Sequence, residues 1–212
     1  MADIDYYGTY AKFITEDRNM AAGFLGTDNI VGDRFTIESK YEDGERSGWV
    51  VNRFSKPVGR IDDKILDKVE VLKAKGWNVT ALLVCVAFTE EPAPGYYWGE
   101  VAIISYDPSY ESAFSKWIDN VGSKMANGVR PDLKLGSSGF KSVVDSEGSW
   151  IPSGRHQLPA KEKGTAYVKT ERSSTERMVN QARKGNIGCT VVSWVFLLAL
   201  VALVVFVVIG LF

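Results

Sequence analysis

Residues 79–88 read VTALLVCVAF, and they are the longest apolar run in the part of the chain expected to form a globular domain. It is apolar at nearly every position and rich in residues that favour strands. A run of ten residues is too short to span a membrane as a helix, and strands buried on both faces show continuous rather than alternating apolar sequence. The stretch therefore predicts a central strand covered on both faces, in which Cys85 is a small buried hydrophobic side chain.

The residues that follow predict a partner strand and two helices. EVAIISY at 100–106 is a second buried strand, expected to pair antiparallel with the central one. Asp107 and Pro108 are a typical helix start, with Asp as the N-cap and Pro in the first turn. The apolar spacing over 110–126 then predicts a helix with one buried face, and a shorter helix is expected over 137–148.

The residues before the central strand predict two helices that flank a hairpin. Over residues 4–15 the apolar spacing fits a helix. Alternating side chains at 34–41, a turn and a second apolar run at 49–54 predict a β-hairpin. Residues 61–75 carry an apolar stripe and a charged face, which is typical of an amphipathic helix.

These elements predict an α+β head domain of order α-β-β-α-β-β-α-α, with helices packed on a mostly antiparallel sheet. We assign this domain to residues 1–151. Residues 152–186 hold several prolines and glycines and few apolar side chains, so they predict a flexible basic stalk. Residues 187–212 are assigned to a C-terminal transmembrane anchor.

The anchor rests on VVSWVFLLALVALVVFVVIGLF at 191–212, which carries no charge. Of its 22 residues, 17 are Val, Leu, Ile or Phe. As a helix it would extend about 33 Å, enough to cross a hydrocarbon core of about 30 Å. The sequence therefore predicts one transmembrane helix with membrane lipids as its partner.

The charge distribution predicts an orientation. Residues 1–150 contain 17 Lys and Arg against 23 Asp and Glu, a net charge of −6, whereas residues 151–190 contain 8 against 3, a net charge of +5. An acidic head argues against nucleic-acid binding, which needs clustered Lys and Arg. The basic residues before the anchor predict a tail-anchored, single-pass protein with its N-terminus in the cytoplasm and its C-terminus across the membrane.

Two kinds of membrane contact follow from this layout. Arg177, Arg183 and Lys184 are predicted to contact lipid head groups beside the anchor. Cys189, at the expected membrane boundary, is a candidate for lipidation, although an unmodified thiol is the simpler alternative.

The sequence shows no catalytic, cofactor or metal constellation, so the chain is expected not to be an enzyme. Its only histidine, His156, falls in the predicted stalk and is expected to be a solvated side chain. Without a histidine in the head, Ser–His and Cys–His nucleophile pairs are not expected there. Paired acids such as Asp62 and Asp63 are more simply explained by the positive end of the following helix.

The loop PAPGYYW at 92–98 is the strongest candidate for an interaction surface, through Tyr96, Tyr97 and Trp98. The alternative is that these aromatic side chains fold back onto the core. The favoured function is a protein-interaction or scaffold module at the membrane, with a protein partner of unknown identity. The other hypothesis is a small membrane-associated enzyme or ligand-binding domain that uses carboxylates or backbone anion sites.

Overall fold

The structure is a computed structural model that describes residues 5–42, 44–183, 192–198 and 200–201. It divides into two compact units, Met1–Arg172 and Ser173–Phe212. The strands described in the first unit are β1 Tyr6–Ile14, β2 Arg34–Glu42, β3 Glu45–Val51, β4 Pro57–Ile61, β5 Asn78–Thr89, β6 Tyr96–Tyr106 and β7 Thr165–Lys169. The helices described there are α1 Arg18–Leu25, α2 Asp63–Ala74, α3 Glu111–Met125 and α4 Gly136–Asp145.

Six of the strands close into an antiparallel barrel. The order β2-β3-β4-β1-β6-β5 is completed by pairing of β5 back to β2, where Arg34 lies opposite Leu82 and Phe35 opposite Ala81. Farther along β5 the same edge is occupied by β7, with Ala87 opposite Tyr167. β5 therefore has partners along both edges, as expected for the central strand.

The two strands at the centre of the fold are buried on both faces, as their sequences predict. Ala81 and Leu83 of β5 lie in the barrel core, which also receives side chains from all five other barrel strands. Leu82 and Val84 face the opposite way, into a second core formed with α3 and α4. The hairpin of β2 and β3, the antiparallel pairing of β5 with β6, and helix α2 are likewise confirmed.

Helix α3 covers the outer face of β5 and β6. Asp107 accepts from the backbone N–H of Ser109, and a short 3-10 turn at Pro108–Tyr110 leads into the helix, so the predicted helix start is confirmed. Phe114, Trp117 and Ile118 of α3 are fully buried in this outer core. The barrel thus has one face that is covered by helices and loops, and the candidate site lies on that face.

The predicted fold class is wrong in its first element and in the shape of the sheet. Residues 4–15 were expected to form a helix, whereas Tyr6–Ile14 is a strand that pairs with β6 along its whole length. Tyr6 and Tyr10 are four residues apart, and that spacing places side chains on one face of a strand as well as of a helix. The unpredicted strand β4 and the pairing of β2 with β5 turn the expected open sheet into a barrel.

Within the described ranges, the structure holds no helix that combines the length and the apolar character needed to cross a membrane. Residues 187–191, 199 and 202–212 of the predicted anchor lie outside the described residues.

The prediction of a C-terminal transmembrane helix is corrected by this finding. So are the predictions that depended on it: a tail-anchored, single-pass membrane protein, a cytoplasmic N-terminus with the C-terminus across the membrane, membrane lipids as partners, and a scaffold or enzyme at the membrane.

Part of the predicted stalk is ordered secondary structure. β7 falls within residues 152–186, and the first unit extends to Arg172. The proposed domain boundaries at 151 and 186 stay predictions. In the second unit, helix α5 spans Ser174–Arg183 and begins with a capping box, in which Ser173 and Glu176 exchange backbone-to-side-chain hydrogen bonds.

Candidate functional site

A carboxylate is buried on the outer face of the barrel. Along β6, Val101 and Ile103 point into the barrel, so Glu100 shares the outer face with Ala102 and Ile104. Glu100 is only 5% exposed. A buried carboxylate is costly unless another group compensates its charge or its hydrogen-bonding capacity. The group that compensates the Glu100 carboxylate therefore indicates the candidate site on this face of the barrel.

That partner is the only histidine of the chain. Nε2 of His156 lies 3.0 Å from Oε1 of Glu100, and it donates when Nε2 carries the proton. The second carboxylate oxygen, Oε2, is buried and has no hydrogen-bond partner among the described residues. Burial raises the pKa of Glu100, against the opposing effect of His156 and Arg130. His156 is thus not the solvated linker residue that the sequence predicts.

The imidazole is also fixed by an aromatic ring on β1. The rings of Tyr10 and His156 stack with centroids 3.8 Å apart and an angle of 4° between their planes. The Tyr10 hydroxyl donates to the carbonyl oxygen of Pro131 at 2.6 Å. Burial and the nearby charge of Glu100 raise the pKa of that hydroxyl above its usual range. At neutral pH, Tyr10 is therefore a neutral hydrogen-bond donor.

Two loop segments hold His156 in this position. The backbone N–H of His156 donates to the carbonyl oxygen of Arg130 at 2.8 Å, and the N–H of Asp132 donates to that of Gly154 at 3.0 Å. Pro131 and Arg155 form an isolated antiparallel bridge between these segments. The loop after α3 and the loop after α4 are thus joined over the outer face of β1 and β6.

Arg130 supplies a positive charge beside this cluster. Its guanidinium donates to the carbonyl oxygens of Gly128 at 3.0 Å and Thr170 at 2.8 Å. Its Nε is buried and has no partner within the described part of the chain. Because the side chain is held by backbone groups, Arg130 is a fixed positive charge that lowers the pKa of Glu100.

A cavity of about 340 Å³ opens over the imidazole, and we call it the His156 cavity. Its lining residues are Thr9, Tyr10, Asp132, Leu133, Lys134, Arg155, His156 and Gln157.

The charges of the lining favour an anion. Lys134 and Arg155 are exposed, and among the residues that the structure describes neither pairs with a carboxylate. Asp132 is the one carboxylate of the lining, and its Oδ1 already accepts from the backbone N–H of Lys134 at 2.9 Å. The walls thus offer two cations against one hydrogen-bonded carboxylate.

A larger cavity of about 510 Å³ lies beside α3. It is lined by polar surface residues that include Lys116 and Lys124, and none of its lining residues is buried. The His156 cavity is smaller, but its lining includes an imidazole that is hydrogen-bonded to the buried carboxylate of Glu100. We therefore take it as the candidate site.

Cys85 lies next to this cluster but is not an available nucleophile. It is the register partner of Glu100 on β5 and is fully buried. Burial, with a smaller effect of Glu100, raises the pKa of its thiol to about 12. Because the thiolate is the reactive form, Cys85 is unreactive at neutral pH. Its prediction as a buried small side chain is confirmed.

No cluster of three His, Cys, Asp or Glu side chains within the described ranges is arranged to hold a metal ion. Glu100, His156 and Cys85 are neighbours on one face, but they do not form such a group.

The residues predicted for interaction are spread over different environments. Trp98 is only 4% exposed, and its indole N–H donates to Oγ1 of Thr89 at 2.9 Å. Tyr97 packs against Phe88 at the barrel core, and Tyr96 is partly exposed. Their role as an interaction surface stays a prediction, although Trp98 is mainly part of the fold.

The remaining predicted site residues belong to the second unit or lie outside the described residues. Arg177 and Arg183 lie on α5 in the second unit, and Lys184 and Cys189 lie outside the described residues. Asp62 caps α2 by accepting from the backbone N–H of Lys64 at 2.9 Å, which is the structural explanation expected for it.

One feature of the sequence does indicate the site. Glu100 alternates with the inward residues of a strand whose two faces are both predicted to be buried. Its carboxylate is therefore expected to be buried as well, and a buried carboxylate needs a group that donates to it or compensates its charge. The single histidine was the available neutral or cationic partner for such a carboxylate. Lys134 and Arg155 gave no comparable signal, because isolated surface cations are common.

Comparison with known proteins gives no relative: no protein-family model matches the chain, and no curated protein or solved structure matches it either. The function has to be inferred from the residues of the site itself.

Proposed function

We propose that the chain binds a small anionic molecule in the His156 cavity. The observation that supports this most strongly is a combination of charges in one lining. Lys134 and Arg155 pair with no carboxylate in the described part of the chain, and the imidazole beside them is held by a buried carboxylate. A positively charged wall and a fixed hydrogen-bonding ring are the elements of an anion site.

The size of the cavity fits a small molecule. About 340 Å³ is at the lower end of the range of roughly 300–1,000 Å³ that small-molecule sites occupy. The lining is mostly polar, with Leu133 as its one aliphatic side chain. A compact polar ligand suits these walls better than an extended hydrocarbon.

The imidazole contributes through the nitrogen that Glu100 does not use. Nε2 faces Glu100, whereas Nδ1 has no hydrogen-bond partner among the described residues, and the ring lines the cavity. A protonated Nδ1 is a hydrogen-bond donor for an anionic ligand, while Nε2 stays directed at Glu100. Lys134 and Arg155 provide the charge that attracts the anion in either state.

The test is a binding titration of the full chain by calorimetry, with benzoate and inorganic phosphate as probes. Charged hydrogen bonds contribute about 1.5–3 kcal/mol each, so we expect Lys134→Glu with Arg155→Glu to weaken binding by roughly tenfold or more. The control is Lys64→Glu with Lys141→Glu, which makes the same change in net charge at residues outside the cavity lining.

The proposal is supported if the cavity variant loses affinity and the control keeps it. It is overturned if neither probe binds, or if both variants weaken binding equally, because the effect would then report net charge alone.

A further inference from the structure

We infer that the ligand of the His156 cavity carries a flat conjugated ring as well as its anionic group, and that this ring stacks on the imidazole of His156. The inference rests on the proposed function, because it specifies the class of anion that the same cavity selects. Aromatic carboxylates and aryl phosphates share this chemistry.

The first step is the orientation of the imidazole. One face of the His156 ring is covered by Tyr10, which lies parallel to it at 3.8 Å, and the Nε2 edge is directed at Glu100. The side chain is nevertheless 32% exposed and lines the cavity. The accessible part of the ring therefore lies on the surface that neither Tyr10 nor Glu100 contacts.

The second step is that this face is held still. The hydrogen bond from the Tyr10 hydroxyl to Pro131 fixes one ring of the pair, and the contact with Glu100 fixes the other. Backbone hydrogen bonds hold the segment on both sides of the ring. A preformed surface costs little ordering entropy when a ligand binds, so its shape contributes to selectivity.

The third step is the scarcity of other apolar surface. Apart from the rings of Tyr10 and His156, the cavity offers the side chain of Leu133 and otherwise polar or charged groups. A saturated ring would place bulky hydrogens against these walls, whereas a flat ring can extend the Tyr10–His156 stack. Aromatic pairs contribute about 0.5–1.5 kcal/mol beyond the area they bury, which corresponds to roughly 2- to 12-fold in affinity.

The position of the cations agrees with this arrangement. Arg155 precedes His156 directly in the chain, and Lys134 lies on the other loop of the cavity. Both cations line the same cavity as the imidazole, so a ring bound there shares the cavity with two positive charges. The cavity therefore provides a flat platform and a charged rim together.

The test compares ligands that differ in ring flatness at the same charge. The full chain is titrated by calorimetry with benzoate and cyclohexanecarboxylate, and with phenyl phosphate and cyclohexyl phosphate. We expect each aromatic anion to bind roughly 2- to 12-fold more tightly than its saturated counterpart.

A matched pair of variants assigns the preference to the imidazole. His156→Phe keeps a flat ring and His156→Leu does not, while both lose the same contact with Glu100. We expect the aromatic preference to persist in His156→Phe and to disappear in His156→Leu. Should these variants fail to fold, the ligand ratios of the unaltered chain still test whether the cavity prefers a flat ring, and equal ratios overturn the inference.

The outcomes separate the two proposals. Equal affinity for aromatic and saturated anions would overturn this inference and leave the anion site standing. An aromatic preference that His156→Leu retains would also overturn it, because the stacking surface would lie elsewhere. Absence of binding for all four anions would overturn the proposed function itself.

Discussion

His156 and Glu100 are 56 positions apart in the chain, yet Nε2 of the imidazole lies 3.0 Å from Oε1 of the carboxylate. The carboxylate is set by the register of a barrel strand, and the imidazole by a loop that crosses the outer face of that barrel. This contact connects the buried interior of the fold to the cavity where we place the ligand.

Replacement of Glu100 by Gln should change how stability depends on pH. The pKa of Glu100 is raised by burial, so its ionised form destabilises the folded state at high pH. That cost is lost as pH falls through the folded pKa toward the unfolded value of about 4.3. Relative to Glu100→Gln, the unaltered chain should therefore gain stability on acidification.

Urea unfolding of both proteins at a series of pH values from neutral to about 4.3 measures the difference between their free energies of unfolding. Most other titrating groups contribute equally in the two proteins, so their effects on this difference cancel. If the difference in the free energy of unfolding between the unaltered chain and Glu100→Gln stays constant with pH, the pKa of Glu100 is not raised in the folded protein.

Cys85 should resist alkylation in the folded protein. Its pKa of about 12 leaves roughly one thiolate in ten thousand at pH 8, and its side chain is fully buried. Iodoacetamide labelling, followed by mass spectrometry of the peptide that contains Cys85, should show modification only after unfolding in urea. Rapid labelling of the native protein at this position would show that the outer face of β5 is open.

Gly99 should not tolerate a side chain. A Cβ at this position would collide with the ring of Phe13, which lies over Gly99 on the neighbouring strand, and with the carbonyl oxygen of Cys85. We expect Gly99→Ala to lower the free energy of unfolding by about 1–3 kcal/mol, which is typical of overpacking.

The matched control is Gly26→Ala, where a Cβ meets no neighbouring atom within 4 Å. Urea unfolding should show little change or a small stabilisation for this variant. Equal losses in both variants would mean that the Phe13 contact does not limit the site.

Trp98 should contribute more than Tyr96 to the free energy of unfolding. Trp98 is buried, donates to Thr89 and lies under Nζ of Lys12 at 4.4 Å, so Trp98→Ala should cost about 3–5 kcal/mol of stability. Tyr96 is partly exposed, and Tyr96→Ala should cost less than about 1 kcal/mol. Thermal or urea unfolding distinguishes them, and a large loss for Tyr96→Ala alone would reverse the assignment.

A search for protein partners of the 92–98 loop should therefore use Tyr96→Ala. A variant that also alters Trp98 would confuse loss of binding with loss of the fold.

The local elements that could be predicted are those whose signal is contained in a short stretch. The continuous apolar run of 79–88 requires burial on both faces, and it forms β5 between the two cores. The amphipathic pattern of α2 and the Asp107-Pro108 start before α3 are equally local. Each of these elements could be predicted because the burial pattern or the capping residue that causes it lies within a few positions of the sequence.

The closure of the barrel could not be predicted in the same way. It depends on two pairings between β2 and β5, which join residues nearly fifty positions apart. The Tyr6–Tyr10 spacing in β1 fits both a helix and a strand, and only the pairing with β6 decides between them.

The candidate site could not be predicted either, because it also depends on contacts between residues that are far apart in the chain. Glu100, Lys134 and His156 come from a strand and two separate loops, and no spacing in the sequence relates them. The proline- and glycine-containing composition around His156 is typical of a linker, but backbone hydrogen bonds to the 130–132 segment hold it against the barrel. Composition does not report such long-range contacts.

The most direct test of the anion site is nuclear magnetic resonance of the His156 ring during titration with benzoate. The chain contains one histidine, so the ring resonances are assigned without ambiguity. At constant pH, we expect a saturable shift of these resonances in the unaltered chain, and a strongly weakened response in Lys134→Glu with Arg155→Glu. Resonances of His156 that stay unchanged up to the solubility limit of benzoate, and in a parallel titration with inorganic phosphate, would contradict an anion site at this cavity.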